Sequence, residues 1–278
     1  MFLNSVILIL QEILEAALLI SVLLVLASQF HETWGKTFTL RSSWVSYALV
    51  FGGIGAWIYA WLTPEISEWF DYVGQEVVNS ALHLTSLLCL IVLACIVPSR
   101  LLADRLHDRS RLTVICLVTI VLLALMREGS EIILYVGGVT SQSENVMPVL
   151  LGAIIGGGIG ISSGIFLYYT LISLRQPWAL RVSLLLLAFI SGNMGSQVVM
   201  LLTQADWLPY TPVAWNTSAL LAENSIPGHL LYALLGYEAT PSILQVVIYL
   251  LGMIVILLGP LFHLAWPRPP QKAIADHE

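Results

Sequence analysis

An all-α polytopic membrane protein with seven transmembrane helices is the fold expected of this chain, and three observations lead there. The 278 residues have a mean hydropathy of +0.88, with 58% hydrophobic and only 10% charged side chains, a balance suited to lipid rather than water. Apolar runs long enough to cross a bilayer occur at about 3–27, 44–62, 76–97, 112–138, 147–171, 180–203 and 242–266, which leaves little chain for a soluble domain. Basic residues fall in alternate connections between these runs, as the positive-inside rule requires. Residues 1–278 therefore read as one transmembrane domain, with the bilayer as solvent and no nucleic-acid partner.

Span 1 begins almost at Met1 without a basic stretch ahead of its apolar run. Removing it as a signal peptide would discard Glu12 and Glu15, so it is taken as a true span. Span 2 carries Gly52, Ala56 and Ala60 at four-residue spacing, a flat stripe on which another helix packs closely. Span 3 opens with Gln75, Glu76, Asn79 and His83, which lie largely on one helical face. Polar side chains in a span face the protein interior or a cavity, and the ionisable Glu76 needs a stronger reason to be there than an amide. Span 4 holds Arg127, Glu128 and Glu131. Span 5 repeats the small-residue stripe with Gly152, Gly156, Gly160 and Gly164, and span 6 carries Asn193, Ser196 and Gln197. The segment at about 204–241 is the one sizeable outer loop, with several prolines, Trp207, Trp215 and an apolar patch over 229–235. It is too broken to span and is expected to lie along the interface as short amphipathic helices. Span 7 follows at about 242–266, and residues 267–278 form a short cytoplasmic tail.

Orientation comes from the basic residues. Lys36 and Arg41 follow span 1, Arg100, Arg105, Arg109 and Arg111 follow span 3, Arg175 and Arg181 follow span 5, and Arg268 and Lys272 follow span 7. The connections between these lack Lys and Arg, so the N-terminus is expected outside and the C-terminus in the cytoplasm. The outer connections hold Glu65, Glu68, Asp71, Glu144, Asp206, Glu223 and Glu238 without basic partners. Such a surface attracts cations, although avoidance of Lys and Arg for topology produces the same pattern. Cys89, Cys95 and Cys116 fall inside spans without CxxC spacing and read as small packing residues rather than a disulfide framework.

The eleventh basic residue, Arg127, lies inside span 4 in the run Arg127-Glu128-Gly129-Ser130-Glu131, and a degenerate copy, Gln11-Glu12-Ile13-Leu14-Glu15, lies in span 1. An acid at a helix centre opposes insertion by roughly 2.5–3.5 kcal/mol, so four oppose it by about 10–14 kcal/mol. A chain that keeps such a liability needs it for function. Residues i and i+3 share a helical face with side chains about 5–6 Å apart, so each pair forms a two-pronged carboxylate claw. Span 1 runs inward and span 4 outward, which makes spans 1–3 (about 1–110) and 4–6 (about 111–205) inverted-topology repeats, a 3+3 arrangement with span 7 appended. At 1.5 Å per residue, Glu12 lies about 14 Å and Glu128 about 15 Å below the outer ends of their helices. The claws are therefore expected to meet at similar depth. Carboxylate oxygens suit hard cations such as Fe³⁺, Ca²⁺, Mg²⁺ or Mn²⁺, and no Cys or Met accompanies them to favour Cu(I). Four ionised Glu beside one Arg carry a net −3, which points to Fe³⁺. Arg127 either keeps its Glu neighbours ionised or serves as a structural partner that makes insertion tolerable, and the sequence leaves both open.

Arg-Glu-Gly-x-Glu in one membrane helix, preceded by Glu-x-x-Glu in the first, resembles the oxidase-dependent iron transporter family. These are the high-affinity ferric iron permeases of fungi and their bacterial EfeU-like relatives. The resemblance covers the whole chain, including Glu12 to Ala17, Gly74-Gln75-Glu76, and the stretch from Leu235 to Ser242. It implies an iron permease of the plasma membrane (the bacterial inner membrane) rather than an enzyme. Iron is then the transported substrate, no cofactor is needed, and an extracytoplasmic oxidase or iron donor is the partner. It also implies that Glu12, Glu15, Glu128 and Glu131, with Arg127, bind and pass the metal. Gln11, Glu76, Asn79 and His83 are added as supporting residues. The first motif departs from the pattern at Gln11 (usually Arg) and Ile13 (usually Gly). The lost charge affects selectivity more than binding, and Ile13 restores bulk where Gly would permit close helix approach. Two rivals remain: a carrier of Fe²⁺, Mn²⁺ or Pb²⁺, in one version proton-coupled, and a membrane di-iron oxidoreductase. Di-iron sites typically add Glu-x-x-His, whereas this chain offers His83 as the candidate imidazole and has no haem-like His pair or nucleotide motif.

Overall fold

Long apolar runs favour helix in lipid, because a helix satisfies its backbone hydrogen bonds within itself. The computed structural model describes residues 1–34, 43–96, 110–140 and 146–265. Its helices are α1 (Phe2–Trp34), α2 (Ser43–Ser67), α3 (Trp69–Tyr72), α4 (Gly74–Ile96), α5 (Ser110–Thr140), α6 (Val146–Ser173), α7 (Gln176–Gln204), α8 (Ile226–Leu235) and α9 (Ile243–Ala265). Seven of them, all except α3 and α8, are long and apolar enough to cross a membrane, in agreement with the sequence expectation. There is no strand among the described residues, only an isolated bridge between Val213 and Ser242. Lys36, Arg41, Arg100, Arg105, Arg109, Glu144, Arg268 and Lys272 lie outside the described residues.

The small-residue stripes decide how the helices pair. α6 lies along α1, and a Cβ built on Gly152, Gly160 or Gly164 would come within 2.7 Å of Ser5 Cβ, 2.8 Å of Ile13 Cγ2 or 2.6 Å of Ala17 Cβ. On Gly156 it would meet the backbone itself, 2.5 Å from the Val6 carbonyl oxygen. α2 lies along α5 in the same manner, with Gly52 against Leu125, Gly55 against Met126, and Ala56 against Gly129. The two pairings are reciprocal: the second helix of each set of three packs on the first helix of the other. α1 meets α5, and α4 meets α7, which are the contacts an inverted 3+3 repeat would place on its axis. α9 packs against α7 and α4. Between them lies an apolar core that includes Val22, Leu23, Leu90, Leu117, Ile120 and Leu187, each fully buried. Trp57, Trp61, Ile154 and Phe166 are exposed on the outer faces of α2 and α6, where lipid replaces a protein partner.

Two irregular segments shape the outer end. α2 outlasts its predicted limit and runs through Pro64 before stopping at Ser67, within one turn of a residue that cannot extend the hydrogen-bond ladder. Phe70, Asp71 and Tyr72 then adopt φ values of 55°, 63° and 71°, a left-handed corner that reverses the chain into α4. The ring of Phe70 meets Trp207 edge to face at 5.6 Å, which ties this corner to the end of α7.

Within the 204–241 segment, α8 packs against α1 and α7, and its C-terminal end meets α9. Leu230 and Ala233 pack with Leu14 and Leu18 of α1, and Gly236 sits against Asn193, in the middle of α7. The Tyr249 hydroxyl donates to the Leu235 carbonyl at 2.5 Å. Ser225 caps the N-terminus through its hydroxyl, and Gly236 ends the helix at φ 66°, so the local signals are an N-cap with a following proline and a left-handed C-terminal glycine. Ten residues cannot span a bilayer, but they can re-enter it where protein covers the backbone.

Candidate metal-binding site

The contact of α1 with α5 brings the two motifs together. One carboxylate oxygen from each of Glu12, Glu128 and Glu131 falls within a cluster whose members are all within 4.8 Å of one another. Glu12 and Glu128 are each only 7% exposed, and Glu131 is half-buried. α5 thus contributes both prongs of its pair and α1 contributes one. Ser5 Oγ and the Tyr135 hydroxyl, 2.8 Å apart, join the same two helices toward the N-terminus of α1.

Arg127 organises the α5 side. Its Nη1 donates to Glu128 Oε1 at 2.8 Å. Its Nε lies 3.3 Å from Glu131 Oε1 but is not aligned for a hydrogen bond. One guanidinium therefore neutralises part of the charge of two carboxylates while leaving Glu128 Oε2 buried and unpartnered. A buried carboxylate oxygen with a free lone pair costs desolvation that a bound cation would recover.

Glu15 stands apart from the cluster. It accepts a hydrogen bond from Gln11 Nε2 at 3.4 Å, and Gln11 Oε1 is 2.9 Å from His229 Nδ1 on α8. With Gln11 Nε2 directed at Glu15, the His229 Nδ1–H is the donor to Gln11 Oε1. The residue that replaces arginine in the first motif is thus the middle of a relay from α8 to Glu15. Glu15 also lines a narrow recess with a cavity of about 40 Å³, together with Arg127, Glu128, His83 and Asn193. Three carboxylates therefore form one group, and the fourth opens onto the adjoining space.

The supporting residues divide. His83 is buried and faces the recess. Asn79 is also buried, but its Oδ1 accepts from the Tyr59 hydroxyl at 2.7 Å, which ties α4 to α2 rather than reaching the cluster. Glu76 is half-buried in the first turn of α4 and is not among the clustered acids. His229 was not singled out from sequence, since a lone histidine in an apolar patch gives no spacing signal. Glu238 was counted only as an outer-loop charge, yet it accepts from Gln245 Nε2 at 2.7 Å and is 3.5 Å from Ser196 Oγ. Burial raises its carboxyl above the usual range, against the hydrogen bond from Gln245 and with help from nearby Glu223.

A family model described as the iron permease FTR1 family matches residues 2–266. Similar curated proteins include the ferrous iron permease EfeU of Shigella flexneri serotype 5b (strain 8401), 26% identical over 139 residues, which is 50% of this chain and 59% of that protein. The ferrous iron permease EfeU of Escherichia coli O157:H7 is likewise 26% identical over 139 residues, 50% of each chain. The aligned part thus spans about half the length of these relatives. No solved structure matches.

Proposed function

The chain belongs to the iron permease FTR1 family, and from that premise we propose that it moves iron across the bacterial inner membrane into the cytoplasm through the Glu12–Glu128–Glu131 cluster. The observation that carries this is the convergence of three acids from two helices beside one arginine. It is a multi-pass membrane protein, and the basic residues in alternate connections support an N-out, C-in orientation.

The cluster works as an oxygen cage. An arriving ion would exchange hydration water for carboxylate oxygens, with Glu128 Oε2 facing no N–H or hydroxyl donor. Arg127 limits repulsion between Glu128 and Glu131 while the cage is empty and holds them in place for the ion. The ion then passes to Glu15, one helical turn further along α1, and so to the recess. α8 points its C-terminal end at the same recess through Ala233, Leu234 and Gly236, and the negative end of a helix dipole favours a cation there. The reciprocal pairing of α1 with α6 and α5 with α2 supports a 3+3 repeat rocking about the site.

We read Fe²⁺ rather than Fe³⁺ as the transported form. With Glu15 outside the cluster, three Glu and Arg127 carry a net charge of at most −2, one less than the four-acid count from sequence, which supports a divalent ion. The relatives' names are those of ferrous permeases. An external oxidase or iron donor would dock on the acidic outer loops.

The test is uptake of radiolabelled iron by cells lacking other iron importers, given as Fe²⁺ with reductant and separately as Fe³⁺. Fe²⁺ uptake that vanishes in Glu128→Gln at equal protein level is expected. Uptake unchanged by that substitution would remove the cluster from the pathway, and uptake only without reductant would assign the ferric form.

A further inference from the structure

Ser5 and Glu12 lie seven residues apart on α1, and Tyr135 and Glu128 lie seven residues apart on α5. Seven residues make two turns, which return a side chain to within about 20° of the same face some ~10 Å along the axis. The two helices run antiparallel, because Glu12 meets Glu128 while Ser5 Oγ meets the Tyr135 hydroxyl at 2.8 Å. Two turns from the carboxylate cluster in one direction, the α1–α5 seam is therefore closed by a single side-chain hydrogen bond. Two turns in the other direction stand Leu19 of α1 and Val121 of α5. Both are buried in one apolar core with Leu23, Leu26, Leu117 and Ile120.

The polar end is thin. Of α1 residues 1–11 only Ser5 and Ile9 are buried, and α5 has no buried residue from Glu131 to Thr140. Ser5 Oγ donates to the Met1 carbonyl at 3.1 Å, so its hydrogen is engaged and the Tyr135 hydroxyl is the donor to it. α6 closes behind Ser5, where a Cβ on Gly152 would stand 2.7 Å from Ser5 Cβ. Ser5 is thus fixed, and the half-buried Tyr135 is the partner with room to turn. Parting the two costs one hydrogen bond that water replaces, whereas parting the apolar end uncovers several fully buried aliphatic side chains.

We propose that Ser5 and Tyr135 are the gate pair of the permeation seam, which shuts the carboxylate cluster off from the N-terminal end of α1 until Tyr135 turns away. The N-out orientation puts that end outside, so cations enter past Tyr135 while the apolar end stays closed. Tyr135 acts as a positioning residue, since it holds the seam and not the ion. This rests on the transport reading of the cluster.

Thiol accessibility tests the gate without requiring transport, in the full-length chain carrying Cys89→Ala, Cys95→Ala and Cys116→Ala. Ile9→Cys places a thiol between Ser5 and Glu12, and Leu19→Cys places one at the apolar end. The probe is a small cationic methanethiosulfonate added to the protein in detergent micelles. Tyr135→Phe keeps the ring and removes the hydrogen bond. It should speed modification at position 9 about fivefold and leave the rate at position 19 unchanged. Ser5→Ala should do the same, and the two together should add little, because both break one contact. An unchanged rate at position 9 in both variants would overturn the gate, and so would equal acceleration at positions 9 and 19, the mark of general loosening. Iron uptake by Glu128→Gln judges the cluster separately. Uptake lost there, with no response at position 9, removes the gate and leaves the cluster standing. A response at position 9 with normal uptake by Glu128→Gln leaves a seam that opens but removes its role in iron passage.

Discussion

Ile13 of α1 fills the notch left by Gly160 of α6, where a Cβ would stand 2.8 Å from Ile13 Cγ2 and 3.1 Å from its Cβ. The matching position in the second motif is Gly129, whose own Cβ would come 2.8 Å from Ala56 of α2. One half of the molecule thus puts the bulk on the motif helix and the notch on its partner, while the other half puts glycine on the motif helix. The departure at Ile13 does not prevent close approach, because α6 supplies the space. This gives a graded prediction. Gly160→Ala should destabilise by about 1–3 kcal/mol through overpacking, and Ile13→Ala should rescue much of the loss. Gly156→Ala should be worse and resist that rescue, because its Cβ meets the Val6 carbonyl oxygen at 2.5 Å and the Leu10 nitrogen at 3.0 Å. Thermal unfolding of the singles and doubles in detergent measures both couplings. Equal rescue at the two sites would show that side chains rather than backbone set the α1–α6 distance.

The separation of Glu15 from the clustered acids predicts unequal effects within the first motif. Glu12→Gln removes a member of the cluster and should weaken binding of the first cation at least about tenfold. Glu15→Gln should weaken that affinity less than Glu12→Gln does, since no Glu15 oxygen falls within the cluster, yet slow uptake because the path into the recess loses a carboxylate. Equilibrium metal binding, set beside initial uptake rates for each variant, separates the two roles. Equal loss of affinity in both would return Glu15 to the first cage.

Much of this was legible in the sequence because membrane insertion makes hydropathy and charge nearly sufficient to find spans. Seven helices and the two acidic motifs followed from that. The helical period then misled in one respect. Residues i and i+3 are offset by about 60° around the axis, so a crossing helix can face one of them fully while the other turns aside, as Glu15 does. The packing of α8 was not legible in the sequence, because a ten-residue apolar helix has the same composition whichever neighbours it meets. Its place against the bundle is set by tertiary contacts to Asn193 and Tyr249. His83 reads from sequence as a polar residue in a span, whereas its burial beside the recess with an unpartnered Nε2 appears only when its surroundings are known.

The His229–Gln11 contact predicts that α8 is latched to α1. Removing one such hydrogen bond costs about 1 kcal/mol, so His229→Leu should raise the population of an undocked α8 about fivefold. A cysteine at Leu230, packed against the Leu14–Leu18 cluster, would report this as faster labelling by a membrane-impermeant maleimide. Gln11→Leu should accelerate labelling to a similar degree, and the double variant should add little, because both substitutions break one contact. Fully additive effects would mean that the two residues stabilise α8 independently.

Glu238 predicts a pH dependence outside the spans. Its carboxyl is raised by burial beside a recess of about 320 Å³ between α7, α8 and α9, and Gln245 donates to it at 2.7 Å. A raised value in the fold means that the protonated form is preferred there. Its contribution is fully present below the usual carboxylate range and is lost as pH rises through the raised value. Glu238→Gln keeps an oxygen acceptor for Gln245 and removes the titration. The variant should match the wild type in Tm near about pH 4 and exceed it near about pH 8. Glu223 lies close enough to oppose ionisation of Glu238, while its Oε1 is anchored by the Ala239 N–H at 2.6 Å. Glu223→Gln should therefore reduce the wild-type pH slope without abolishing it. A wild-type Tm that climbs relative to Glu238→Gln over this range would show that the ionised carboxylate, held by Gln245 and Ser196, is the form the fold prefers.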